Sequence, residues 1–206
     1  MSKITAFFKK IHYNSPVILT FTLLAFVAWL LSVLAADAEL GEVNSWTNTH
    51  FFSVYRSSLA NPLFYVRLFG HALGHANIGH FFNNFLLILL AGPMLEEKYG
   101  SRNMLFMILF TSAVTGAVFV IFFPKTMLLG ASGIVFMLIL LSSYVNLQRG
   151  RIPLTLILCI VVFLGREIVN GVFEENNIAN TAHIAGGACG AVFGYFVNRK
   201  ALRGGH

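Results

Sequence analysis

The sequence predicts an all-α polytopic membrane protein, and three observations carry that prediction. Apolar residues fill 57% of the 206 positions and charged residues only 11%. A soluble chain of this length could not hide so much apolar surface behind so few charges, so its solvent is a bilayer. The apolar residues also fall into six stretches with little or no charge: 13–36, 76–95, 103–124, 126–147, 152–165 and 176–198. A helical span needs roughly 17 to 25 residues, so the fifth is short unless it runs past Arg166 and Glu167. Finally, with both termini placed in the cytoplasm, ten of the 14 Lys and Arg residues fall inside and four (Arg56, Arg67, Lys125, Arg166) fall outside. That asymmetry supports the even helix count and the orientation together.

The first span has a second reading as a signal peptide, because basic residues precede it and small residues follow in LAADAEL. Its apolar run of about 20 residues exceeds the usual 7 to 15, which favours retention as a helix. The connection to the second span is aromatic and lightly charged, containing Trp46, HFFSVYR and NPLFYVRLF. Such a loop is expected to lie in the membrane interface. The remaining connections are short and no repeat is visible, so residues 1–206 read as one membrane domain with short tails at about 1–12 and 199–206. The net charge of +6 is spread over loops and forms no basic face, which argues against nucleic acid as a partner. Cys159 and Cys189 lie in apolar runs and read as small hydrophobes.

Inside the spans, the residues that cost most to bury are His80, Asn83, Asn84, Ser132 and His183. Polar groups at membrane depth face a cavity or each other, and an ionisable one is a functional hypothesis by default. His80 and Asn84 are four apart, on one face of the second span, where both can donate hydrogen bonds to one point. Taken alone, such a pair more often glues helices together.

His183 opens HIAGGACGAVFG, in which Gly186, Gly190 and Gly194 recur every four residues. They form a groove without side chains that a neighbouring helix can approach closely.

Ser132 stands in LGASG, between Gly130 and Gly133, and two accounts of it are open. In a continuous helix it is a packing serine bonded to its own backbone. If LLG is instead irregular, Ser132 begins a broken helix, and its amide and that of Ala131 are free to stabilise an anion. Together these groups supply a hydroxyl, a base and oxyanion donors. All eight acidic residues lie in loops or at helix ends, so the chemistry that remains is a Ser-His dyad rather than a triad.

These residues resemble the rhomboid intramembrane serine proteases, especially the compact six-helix bacterial kind, over nearly the whole chain from the first span. RLFGHALGHANIGHFFNN is similar to the family's loop and second helix, with Arg67, His71, His75, His80 and Asn84 at the expected intervals. GPMLEEKYGS resembles the acidic end of that helix, with Glu96 at the matching position. GASG resembles the nucleophile motif, and AHIAGGACG the sixth-helix motif.

The resemblance implies a six-helix bundle with a membrane-embedded first loop. Ser132 would be the nucleophile, His183 the general base, and His80, Asn84 and the Ser132 amide the oxyanion hole. Arg67 and Glu96 would be structural. It implies no cofactor, transmembrane protein substrates, contact with membrane lipids, and a site opening to the outer side of a bacterial inner membrane. Two positions depart from the pattern. Val66 stands where many relatives have Trp, and Phe136 where many have a Tyr that packs on the catalytic histidine; a phenyl ring there can still stack on imidazole. Two alternatives stay open: a catalytically inactive relative that binds membrane proteins, and a metal site or transporter built on His71, His75 and His80. In the latter case spacings of four and five put His80 off the face shared by the other two.

Overall fold

The computed structural model describes residues 13–35, 45–144, 154, 157, 158, 161 and 177–203. The expected fifth span, 152–165, falls almost wholly outside them, as do the N-terminal tail and the small-residue segment after the first span. Seven helices are delimited among the described residues: α1 (Pro16–Leu34), α2 (Trp46–His50), α3 (Pro62–Gly70), α4 (Ile78–Tyr99), α5 (Ser101–Phe122), α6 (Ser132–Ser143) and α7 (Asn177–Arg203). The described residues contain no strand, only an isolated antiparallel bridge between Val54 and Leu128.

Helices α1, α4 and α5 are long and apolar enough to cross a bilayer. They match the first three expected spans to within a few residues, whereas α7 continues into what the sequence reads as a tail.

The fourth span departs from a continuous helix. Among its described residues, 126–144, only Ser132–Ser143 is helical, 12 residues, or about 18 Å at 1.5 Å per residue, well short of a hydrocarbon core of about 30 Å. The residues before it are irregular, which settles the choice left open for LLG. Ser132 is the first residue of α6, and Gly130, at φ +125°, makes the turn into it.

Irregular backbone among membrane helices must find its hydrogen bonds within the protein, and the first loop supplies them. Leu128 exchanges both backbone hydrogen bonds with Val54, each 2.9 Å, and the Gly130 N–H donates to the His71 carbonyl at 2.8 Å.

Side-chain caps set the loop's own short helices. Asn61 accepts from the Leu63 N–H ahead of α3, and Asn77 accepts from the His80 N–H ahead of α4, each satisfying a terminal donor that no intrahelical carbonyl can reach. Arg67 braces the loop from inside. It is buried, its Nη1 donates to the Tyr55 hydroxyl and its Nη2 to Ser57 Oγ, and its guanidinium lies 4.2 Å from the centre of the Tyr55 ring.

Glu96, on the last turns of α4, has a separate task. Its two carboxylate oxygens accept from the Val17 and Ile18 N–H groups at 3.0 and 2.9 Å. Ser15 makes no side-chain cap for α1, so a buried carboxylate from another helix takes that place and also complements the positive end of the helix dipole. Arg67 and Glu96 thus each commit side-chain polar atoms to hydrogen bonds within the fold.

The packing that decides where the site lies is between α6 and α7. A Cβ added to Gly186 would collide with the Gly133 carbonyl and lie 2.8 Å from its Cα; one on Gly190 would collide with the Met137 carbonyl and lie 2.9 Å from its Cα. Two helix backbones touch along these positions because no side chain separates them. Around the seam, Ile134, Val135, Met137, Leu138 and Leu141 of α6 join Phe85 and Ile88 of α4 and Met104, Met107 and Ile108 of α5 in one core.

Two measurements test this framework. Glu96→Ala leaves two buried N–H groups unpaired and is expected to lower stability by about 2 kcal/mol or more. Glu96→Gln, which keeps one acceptor oxygen, should cost less, and equal stability of Glu96→Ala and wild type in a denaturant titration would refute the cap. The second concerns His71 and His75, which lie in the connection between α3 and α4 rather than in a spanning helix. Burial pushes both imidazoles below the ordinary histidine range. The unfolded chain then binds more protons below pH ~6.5, so stability should fall as pH is lowered from 7.5 through that value. A melting temperature in detergent that stays flat down to pH 4.5 would contradict it.

Candidate active site

Three elements deliver the residues singled out in the sequence. The Asn77 cap starts α4 so that His80 sits in its first turn and Asn84 one turn further on the same face. His80 is half-buried and Asn84 buried, while Asn83 points outward and is exposed. Asn83 therefore takes no part in the site. Gly130 lies directly against the pair: a Cβ there would be 2.8 Å from His80 Nε2 and 3.8 Å from Asn84 Nδ2. Only a residue without a side chain fits at this point, so the glycine before Ser132 serves both a positive φ and a close approach.

Ser132 begins α6 and is half-buried. The first hydrogen bonds of that helix run from the Ile134 and Val135 N–H groups to the Ala131 carbonyl. The amides of Ser132 and Gly133 precede them and have no intrahelical acceptor, which suits them to a negatively charged oxygen. The Ala131 amide differs from the sequence expectation. It points at His75 Nε2, 3.4 Å away, because the irregular backbone ahead of α6 turns it toward the loop, so it is not free for an anion.

His183 reaches the site through the glycine seam. Ala182, the residue before it, turns its carbonyl toward Gly133, 3.4 Å from where a Cβ would stand, and Thr115 of α5 closes the other side. The His183 and Phe136 rings lie 4.4 Å apart between centroids and inclined by 38°. Phe136 thus packs against the imidazole at a tilt. Phe136 is four residues after Ser132, hence on the same face of α6 one turn away, so His183 meets the helix that Ser132 begins on that face. The structure sets His80 and Asn84 against Gly130, Gly186 against Gly133, and His183 against Phe136 on the helix that Ser132 begins. Gly190 acts further along the seam, and Arg67 and Glu96 stand apart in structural roles.

Two histidines that the sequence reading names without giving them partners also contact these residues. His71, buried, gives its carbonyl to Gly130, and its Nε2 lies 3.3 Å from Thr115 Oγ1. His75, also buried, contacts Asn84, with 3.1 Å between Nε2 and Nδ2. His75 and Asn84 are nine apart and meet because the chain turns between them, so helical periodicity carries no sign of it. The two imidazoles engage separate partners, and among the described residues no three His, Cys, Asp or Glu side chains converge as metal ligands would.

The family model for the Rhomboid domain matches residues 63–200, two thirds of the chain, from α3 to the end of α7. A search among curated proteins found no match. The matched region holds every residue of the site described above. The chain is an integral membrane protein and belongs to the rhomboid family, a family of intramembrane serine proteases.

Proposed function

We propose that the protein is a serine endopeptidase that cuts transmembrane segments of other membrane proteins through a Ser132–His183 dyad. The observation that carries this reading is the stacking of His183 on Phe136, one turn along the helix that Ser132 begins.

In this reading His183 takes the proton of the Ser132 hydroxyl as the oxygen attacks the substrate carbonyl, and later delivers it to the leaving amine. The tetrahedral oxygen gathers negative charge and is met by donors already in place: Asn84 Nδ2, His80 and the Ser132 amide. Water then releases the acyl group by the same steps in reverse order. Glu96 is committed to α1, which agrees with a dyad in which Phe136 rather than a carboxylate orients the imidazole. A peptide bond in a stable helix has its carbonyl shielded by hydrogen bonding, so substrates would be cut where small residues let the helix unwind. The uneven spread of Lys and Arg supports cytoplasmic termini with the site opening to the outer side. The likeness to compact bacterial rhomboids supports a bacterial inner membrane.

In proteoliposomes carrying a single-span substrate, wild type should cleave, and Ser132→Ala and His183→Ala should each lower the rate by about 10⁴-fold or more. Undiminished cleavage by either variant refutes the dyad. Asn84→Ala should slow turnover by about 10- to 1000-fold, and an unchanged rate would return Asn84 to helix packing.

A further inference from the structure

His75 lies outside the chemistry just described, yet its hydrogen bonds bear on it. We propose that His75 is a positioning residue that fixes which end of the Asn84 carboxamide faces the reacting oxygen, an inference that rests on the role given to Asn84 above.

Two backbone groups set the imidazole's state. His75 Nδ1 lies 3.1 Å from the Leu73 carbonyl, and a carbonyl can only accept, so Nδ1 carries the proton. The Ala131 N–H can only donate, and it points at Nε2 from 3.4 Å, a long contact but one that requires a lone pair on Nε2. Both constraints select the same neutral tautomer. The Asn84 carboxamide, 3.1 Å from Nε2, must then present its NH₂ end, because its oxygen would meet a lone pair with a lone pair.

The consequence follows from the shape of a carboxamide, whose two ends are nearly alike in size and opposite in polarity. With one N–H held by His75, the nitrogen stays on the side of Gly130 and His80 and keeps a second N–H for an oxyanion. Without that hold, the group can turn over and offer an oxygen, which repels the charge it is meant to stabilise. The imidazole has little freedom itself. It is 1% exposed and lies among the rings of His80, Phe81 and Phe85 at centroid distances of 5.0, 5.5 and 5.5 Å. The same nitrogen also meets the Ala131 amide, which helps to hold the ring in this tautomer.

The test compares wild type, His75→Phe, His75→Gln, Asn84→Ala and the His75→Phe/Asn84→Ala double variant in proteoliposomes, with melting temperatures for each. It adds a ¹⁵N-histidine NMR spectrum of wild type at neutral pH. The spectrum should show His75 neutral and protonated on Nδ1. His75→Phe should lower kcat about tenfold or more with KM little changed, and the double variant should be no slower than Asn84→Ala alone, since His75 acts through Asn84. His75→Gln, whose side-chain oxygen can accept, should recover part of the loss. An Nε2-protonated tautomer, losses that multiply in the double variant, or a His75→Phe loss fully explained by a smaller folded fraction would each overturn the proposal. A folded wild type that fails to cleave would refute the protease reading instead, and the tautomer would still decide the His75–Asn84 bond.

Discussion

Backbone that leaves the helix among membrane spans must have its polar groups satisfied by protein, since hydrocarbon offers no partner and each unsatisfied group costs several kcal/mol. That constraint governs this structure. A serine on the first turn of a buried helix requires the chain ahead of it to be irregular, and this chain meets the requirement by pairing that segment with its own first loop. Val54 pairs with Leu128, His71 with Gly130 and His75 with Ala131. The loop is in turn held by Arg67 and by the capped starts of α3 and α4. The first loop is thus a structural support for the site.

The second requirement is that His183 come close to the helix that Ser132 begins. Apolar side chains do not draw helices together in lipid as they do in water, so close contact depends on shape. Gly186 and Gly190 let the α7 backbone lie on that of α6 at Gly133 and Met137, and Thr115 and Ala182 fill the margins. His183 then comes down beside Phe136. A methyl group at Gly186 would separate the two helices at the level of the serine, so these glycines set how closely the helix bearing His183 approaches the one that Ser132 begins.

Much of this was legible in the sequence, for identifiable reasons. His80 with Asn84, and Gly186 with Gly190, are repeats of four on helices, where spacing translates directly into a shared face. The helix break before Ser132 was legible as one of two readings, because glycines on both sides suit either a close helix contact or a turn. What spacing could not show lies across chain reversals. The carboxylate of Glu96 caps a helix some 78 residues earlier in the chain, and the imidazole of His75 meets Asn84 only because the loop turns between them. The Ala131 amide was misread for the same reason: its acceptor is in the loop, 56 positions away. Phe136 was legible as a departure from the family pattern, and its stacking on His183 accords with an aromatic ring being the feature required there.

The most direct measurement of the central claim is an experimental structure of the protein after reaction with a fluorophosphonate. The account predicts a bond from phosphorus to Ser132 Oγ, with the phosphoryl oxygen within hydrogen-bond distance of Asn84 Nδ2 and the Ser132 amide, and His183 beside the adduct on Phe136. An unmodified Ser132 in folded protein, or a phosphoryl oxygen turned away from α4 and the start of α6, would contradict it.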